Sequence, residues 1–202
     1  MRGICRTSGR LAGVYGSPVV DGNVLGARRI LVYGVTGSGK SAAAARISAV
    51  SGIAWTSVDD LTWEPGWVLV PEEEQRRRIE RICAGEAWLL DTAYGAWLDV
   101  PLGRVELIIA LDYPRWFSLQ RLARRTLARI LDKRPVCNQN TETWRSALSR
   151  DSIIAWHFRS FRSKRSRIEQ WALRSAEGEP GPRVLRFTRS RDLEAYIGSI
   201  GD

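Results

Sequence analysis

The chain has 202 residues, 44% of them hydrophobic and 26% charged, and 31 Lys and Arg against 22 Asp and Glu give a net charge of +9. That length and apolar content suffice for one globular domain with a sizeable core and exclude the low-hydrophobicity signature of disorder, while no run approaches the roughly 18 apolar residues of a membrane span. Three scattered cysteines, Cys5, Cys83 and Cys137, have neither metal-ligand spacing nor the even count of a disulfide framework, a pattern that fits a reducing, cytoplasmic setting.

Residues 1–27 carry glycines and arginines without periodicity and read as a flexible tail, with no apolar stretch of the kind a secretory signal needs; a transit peptide, given the arginines and serines, and a mis-assigned start are the alternatives. From Arg29 onward, short apolar runs alternate with helical stretches, the pattern of an α/β domain with a parallel sheet and crossover helices. The apolar runs predict strands at 30–35, 53–58, 87–91, 105–111 and 184–187, within one domain at 28–198.

Directly after the first of these runs stands GVTGSGKS, residues 34–41. It fits G-x-x-x-x-G-K-[ST], a glycine-rich loop whose backbone N–H groups wrap a polyphosphate while the lysine reaches the terminal phosphates and the hydroxyl residue ligates magnesium. Gly34, Gly37 and Gly39 tolerate the backbone angles such a turn needs, and Thr36 and Ser38 fill the intervening positions. Lys40, Ser41 and Ala42 open an alanine-rich helix predicted at 40–50, which directs its positive dipole end at the phosphates. The expected ligands are ATP and Mg²⁺.

A second helix is predicted from Pro71 to about residue 84, with Glu72, Glu73 and Glu74 in the first turn, where negative charge complements the dipole. The third, at 114–131, places Leu119, Leu122, Thr126 and Ile130 toward the core. Arg121, Arg125 and Arg129 form a second stripe, joined by Arg124, and like charges at that spacing destabilise a helix by about 0.2–0.5 kcal/mol per pair. A bound anion would relieve them; a solvated face is the alternative. Between residues 133 and 150 the periodicity fades into polar residues, a candidate mobile lid.

Four further stretches decide what kind of phosphate-handling chain this is: Asp59-Asp60-Leu61-Thr62-Trp63-Glu64-Pro65-Gly66-Trp67, Trp88 to Gly95 with Asp91 inside it, Leu111-Asp112-Tyr113-Pro114 followed by Arg121 to Arg125, and Ser152 to Arg159 with Arg162 and Lys164 behind. Together with the loop, they resemble the small nucleotide-kinase superfamily that includes adenylate and shikimate kinases, and within it the adenylate-kinase-like branch labelled "DNA topology modulation protein". The resemblance covers about residues 28–198 and is most specific in D-x-L-x-W-x-P-G-W. It departs at Thr92-Ala93, where the branch has Gly-Asn before the tyrosine.

The resemblance implies a three-layer P-loop NTPase fold: a five-stranded parallel sheet with helices on both faces, an acceptor-binding region at 59–85 and an arginine-bearing lid at 132–165. It implies that Asp91 serves Mg²⁺ together with Ser41, that Arg121 and Arg125 face the nucleotide, and that Arg159 and Arg162 close from the lid onto the transferring phosphoryl. Asp59 would position or deprotonate an acceptor hydroxyl, with Asp60 as the spare, unless it caps a local turn. The segment 184–197, with Thr188-Arg189-Ser190, would supply the loop under the donor base.

Trp63, Trp67 and Trp88 are candidates for an aromatic slot or for core, and His157, the only histidine, is expected to be packed or on the surface rather than catalytic. The functions to be weighed are an ATP-dependent kinase with a small hydroxyl or phosphate acceptor, a nucleoside or nucleotide among them, and a P-loop regulator without turnover. A nucleic-acid-binding protein ranks last, because no binding motif accompanies the charge. Only three of the 31 basic residues are lysines, and an arginine skew of this kind also follows genomic base composition. The sequence leaves oligomeric state open.

Overall fold

The computed structural model describes residues 25–132, 137–141, 143 and 152–201. Five strands form one parallel sheet: β1 (Arg29–Gly34), β2 (Trp55–Thr56), β5 (Trp88–Leu90), β6 (Leu107–Leu111) and β7 (Arg183–Phe187), in the order β2-β5-β1-β6-β7. The loop-bearing strand β1 therefore lies in the centre, with Leu31 opposite Leu90 on one side and Ile108 on the other. Continuous apolar runs such as Leu107-Ile108-Ile109-Ala110-Leu111 fit a parallel sheet covered on both faces.

Alternation along β1 sends its side chains to two cores. Ile30 and Val32 pack with Ala43, Ala44 and Ile47 of α1 (Lys40–Ser51) and with Leu193 and Ile197 of the C-terminal helix α7 (Ser190–Gly201). Leu31 and Tyr33 pack on the other face, with Ile79 and Cys83 of α3 (Glu72–Cys83), with Trp97, and with Ile168 of α6 (Ile153–Ala176). The five-stranded, three-layer α/β fold expected from the sequence is the fold observed.

The differences in detail have local causes. Leu25 and Ala27, within the stretch expected as a tail, are buried in the first core, and Leu25 accepts a hydrogen bond from Arg183 Nη2 at 2.6 Å. The strand expected at 53–58 shrinks to two residues because α2 (Val58–Thr62) starts inside it, where the buried Val58 N–H donates to Asp91 Oδ1 at 3.0 Å. In α5 (Arg115–Asp132) the buried stripe is Ser118, Leu122, Thr126 and Ile130, an unbroken i, i+4 row, and Leu119 is only half-buried. A short hairpin, β3 (Trp63–Glu64) with β4 (Val68–Leu69), a 3-10 turn at Gly95–Trp97 and the four-residue helix α4 (Asp99–Leu102) complete the described elements. Part of the expected lid, at 133–136, 142 and 144–151, lies outside the described residues, as does Cys5. Among the described residues no helix is long and apolar enough to cross a membrane.

Helix α6 starts at Ser152, whose hydroxyl accepts from the Ala155 N–H at 3.2 Å and so satisfies an otherwise orphaned donor. Ser152→Ala is expected to lower stability by about 1 kcal/mol. Urea unfolding should show this as a lower midpoint with an unchanged slope.

Candidate functional site

The loop at 34–41 leaves β1 at the sheet's C-terminal edge and is pressed against its neighbours. A Cβ on Gly34 would meet the Leu111 carbonyl oxygen at 2.7 Å, and one on Gly37 would stand 2.3 Å from that of Ser118. Gly37 and Gly39 have φ of +82° and +93°, in the left-handed region that favours glycine. Over Gly39 lies the Arg121 guanidinium, whose Nη2 would be 2.8 Å from an added Cβ and which rests above the Phe117 ring at 5.5 Å.

Helix α1 begins there with no acidic residue in its first turn and no side-chain cap. Ser41 and Ala42 are exposed and Thr36 is half-buried. The Ser38 hydroxyl oxygen is buried with no hydrogen-bond partner among the described residues. An uncapped helix N-terminus, an orphaned hydroxyl and a cradle that any Cβ would fill fit a polyphosphate.

Lys40 folds over the loop and donates from Nζ to the Val35 carbonyl at 2.9 Å. Burial pushes its pKa down to about 8; Asp59 and Asp91 act in the opposite sense, and Arg125 lowers it further. The Lys40 ammonium thus feels Asp91, Asp59 and an α5 arginine at once. Asp91 directly follows β5, is 3% exposed and accepts the Val58 N–H. Burial raises its pKa, while the Ser41 hydroxyl and the Val58 N–H pull it back. A hydroxyl beside a carboxylate is a hard-oxygen pair that suits Mg²⁺ completed by water and phosphate oxygens. No group of three His, Cys, Asp or Glu side chains placed to hold a metal occurs among the described residues.

Asp59 stands exposed in the first turn of α2, and its Oδ1 accepts the Tyr94 hydroxyl at 2.6 Å. Its carboxylate thus makes a contact 35 residues away in the chain. Burial, and then the Asp59 charge, raise the Tyr94 pKa, so Tyr94 stays a donor. Asp60 is exposed, and its carbonyl accepts from Asn138 Nδ2 at 2.8 Å.

The lid-side expectation changes most. Arg159 and Arg162 are exposed and lie about 200° and 140° around α6 from His157. The face turned inward carries His157, Ser160, Phe161, Lys164 and Ile168 instead. His157 is fully buried, with Nδ1 donating to the Thr36 carbonyl at 3.0 Å, and burial keeps its pKa low. It braces the loop as a neutral ring. Lys164 donates to the Gly34 carbonyl at 3.4 Å and sits 5.5 Å from the centre of the Tyr33 ring; burial and the Lys40 charge push its pKa down to about 7. Arg167 donates to the Tyr33 hydroxyl at 2.8 Å. Spacing of 3, 4, 7 and 11 residues from His157 was the available signal, and arginine identity overrode it.

The three tryptophans do not form one slot. Trp88 is 2% exposed in the second core, whereas Trp63 and Trp67 meet edge-on at 5.8 Å on the hairpin. Residues 137–141 dock there: Asn140 Oδ1 accepts the Trp67 N–H at 2.7 Å, Asn138 Nδ2 donates to the Trp63 carbonyl at 2.5 Å, and Trp67 Nε1 donates to the Thr141 carbonyl at 3.1 Å. Asp112, at the end of β6, pairs with Arg186 Nη2 at 2.5 Å, and Thr188, Arg189 and Ser190 link β7 to α7.

No family model and no curated protein matches the chain. Among solved structures it is similar to a shikimate kinase from Aquifex aeolicus vf5, at 16% identity over 85% of this chain and 92% of that one, with a TM-score of 0.49. It is also similar to an unliganded sugar kinase from Janibacter sp. HTCC2649, at 19% identity over 86% and 91% (TM-score 0.48), and to a gluconokinase from Sinorhizobium meliloti 1021, at 14% identity over 85% and 92% (TM-score 0.47).

Proposed function

We propose that the protein is an ATP-dependent phosphotransferase that moves the γ-phosphoryl group of ATP to a small acceptor held beside Asp59. The observation that carries this reading is the convergence on Lys40 of a phosphate-type loop, the Asp91 carboxylate and, from a separate element, the Asp59 carboxylate. A loop that only stored a nucleotide would need no carboxylate on the acceptor side.

Bound ATP supplies the electrophilic phosphorus, and Mg²⁺ neutralises charge on its phosphate oxygens. Ser41 and, through water, Asp91 would hold the metal. The loop N–H groups and the α1 N-terminus bind and orient the donor phosphates, with Arg121 and Arg125 beside them. Lys40 would meet the charge that spreads over the transferred group. Asp59, fixed by the Tyr94 hydroxyl, would orient an acceptor hydroxyl and take its proton, or orient a phosphate acceptor through its counter-cations.

The test is Mg²⁺-dependent ADP release from ATP with a panel of nucleosides, nucleoside monophosphates and small hydroxy compounds. Release stimulated by an acceptor supports the proposal; tight ATP binding with no stimulated release would replace it with a regulatory P-loop protein. With a stimulating acceptor in hand, Asp59→Asn is expected to lower kcat by about 10²-fold, the scale of a positioned base, with ATP affinity retained. Separate kcat and nucleotide-binding measurements distinguish this from a general loss of the fold.

A further inference from the structure

Lys164 is the charged group near the loop whose surroundings account for it least. It is half-buried, its polar contact is a carbonyl at 3.4 Å, and no carboxylate lies within ion-pair distance among the described residues. A carbonyl and a ring face compensate a desolvated ammonium poorly, and such charges are ordinarily paired. Lys40 stands close enough to depress it further.

Position separates the two lysines. Tyr33, over which Lys164 sits, projects from β1 to the face that packs Val58, Ala93 and Trp97, away from the α1 core. That face is where Asp59 and Tyr94 stand. Lys40 belongs to the loop and to the donor; Arg167 is held by the Tyr33 hydroxyl. Lys164 is the cation left on the acceptor side with no carboxylate in ion-pair contact among the described residues; the Asp59 charge acts on it without pairing.

We propose that Lys164 binds an oxyanion group carried by the acceptor, so that the substrate is a small hydroxylated molecule bearing its own carboxylate or phosphate. Its hydroxyl faces Asp59 and its oxyanion faces Lys164. Neutral nucleosides and polyols offer nothing to that ammonium and are poor acceptors. This assignment rests on the kinase proposal and narrows its substrate class.

The experiment uses the full chain saturated with Mg²⁺ and AMP-PNP, so that the donor loop is filled, and a matched set of probes: ribose 5-phosphate, ribonate and ribose. Calorimetric titration of the wild type is expected to show at least one anionic probe binding tenfold or more tightly than ribose. Which anion binds tells a phosphate monoester from a carboxylate. Lys164→Met should remove that preference while AMP-PNP affinity changes less than twofold, and Lys164→Arg should restore part of it. Thermal melting checks that each variant is folded; if the methionine variant is not, Lys164→Gln takes its place. Equal binding of ribose and both anions, no binding of either anion, or an undiminished preference in a folded variant overturns the assignment with the kinase reading intact. Failure of AMP-PNP to bind the wild type overturns both.

Discussion

Replacing Lys40 with methionine is expected to reduce acceptor-stimulated ADP release by about 10³-fold or more, equivalent to roughly 4 kcal/mol of barrier. Lys40 donates to the Val35 carbonyl of a loop that has no room for a Cβ at Gly34 or Gly37, and its ammonium sits where Asp59, Asp91 and Arg125 all act on it. Phosphoryl transfer spreads negative charge over three oxygens, and a positioned cation in a desolvated site stabilises that spread more than it stabilises the starting ester. The loss should therefore fall mainly on kcat, with a smaller loss of AMP-PNP affinity. Stability should not fall, because methionine fills a similar volume and removes a desolvated charge. Single-turnover kinetics alongside thermal melting checks both halves, and a folded variant retaining a tenth or more of wild-type turnover would sink the role given to the loop.

Gly37→Ala is expected to destabilise the protein by about 3 kcal/mol, combining left-handed backbone strain with an overpacked contact. For a domain of this size that lowers Tm by roughly 6–12 °C. The new methyl would stand 2.3 Å from the Ser118 carbonyl oxygen and 2.9 Å from Leu122 Cβ, and both belong to α5. A helical backbone oxygen cannot step aside on its own, so either α5 or the loop must move. Gly66 is the control: its φ is +82° as well, but an added Cβ would meet nothing within 4 Å. Gly66→Ala should therefore show the backbone strain alone, about 1–2 kcal/mol. Melting curves of the two variants separate the terms, and equal shifts would mean that the loop is not seated against α5.

The loop half of the candidate site was legible because it is local. The loop, its strand and its helix are contiguous, so spacing alone places Lys40 and Ser41, and Asp91 could be read as the residue that closes an apolar run. The half around Asp59 depends on distant contacts. That Asp59 receives Tyr94 follows from the packing of α2 against the end of β5, which no periodicity encodes. Arg159 and Arg162 drew attention by charge, yet the register of α6 is set by the buried Phe161 and by Ile168 in the second core, and that register turns His157 and Lys164 inward. Trp88 was grouped with Trp63 and Trp67 by residue type, although its place in β5 sends it to the core.

The sheet order has a consequence for how the molecule breathes. β1 is hydrogen-bonded along both of its edges, whereas β2 is a two-residue outer strand that leads directly into α2 and the hairpin. Opening free energies should follow that gradient, with amides of Val32 and Tyr33 exchanging only through global unfolding and those from Trp55 to Leu69 through cheaper, partial openings. Under the proposed function, an acceptor would come and go through excursions of the outer edge while the cradle keeps its shape.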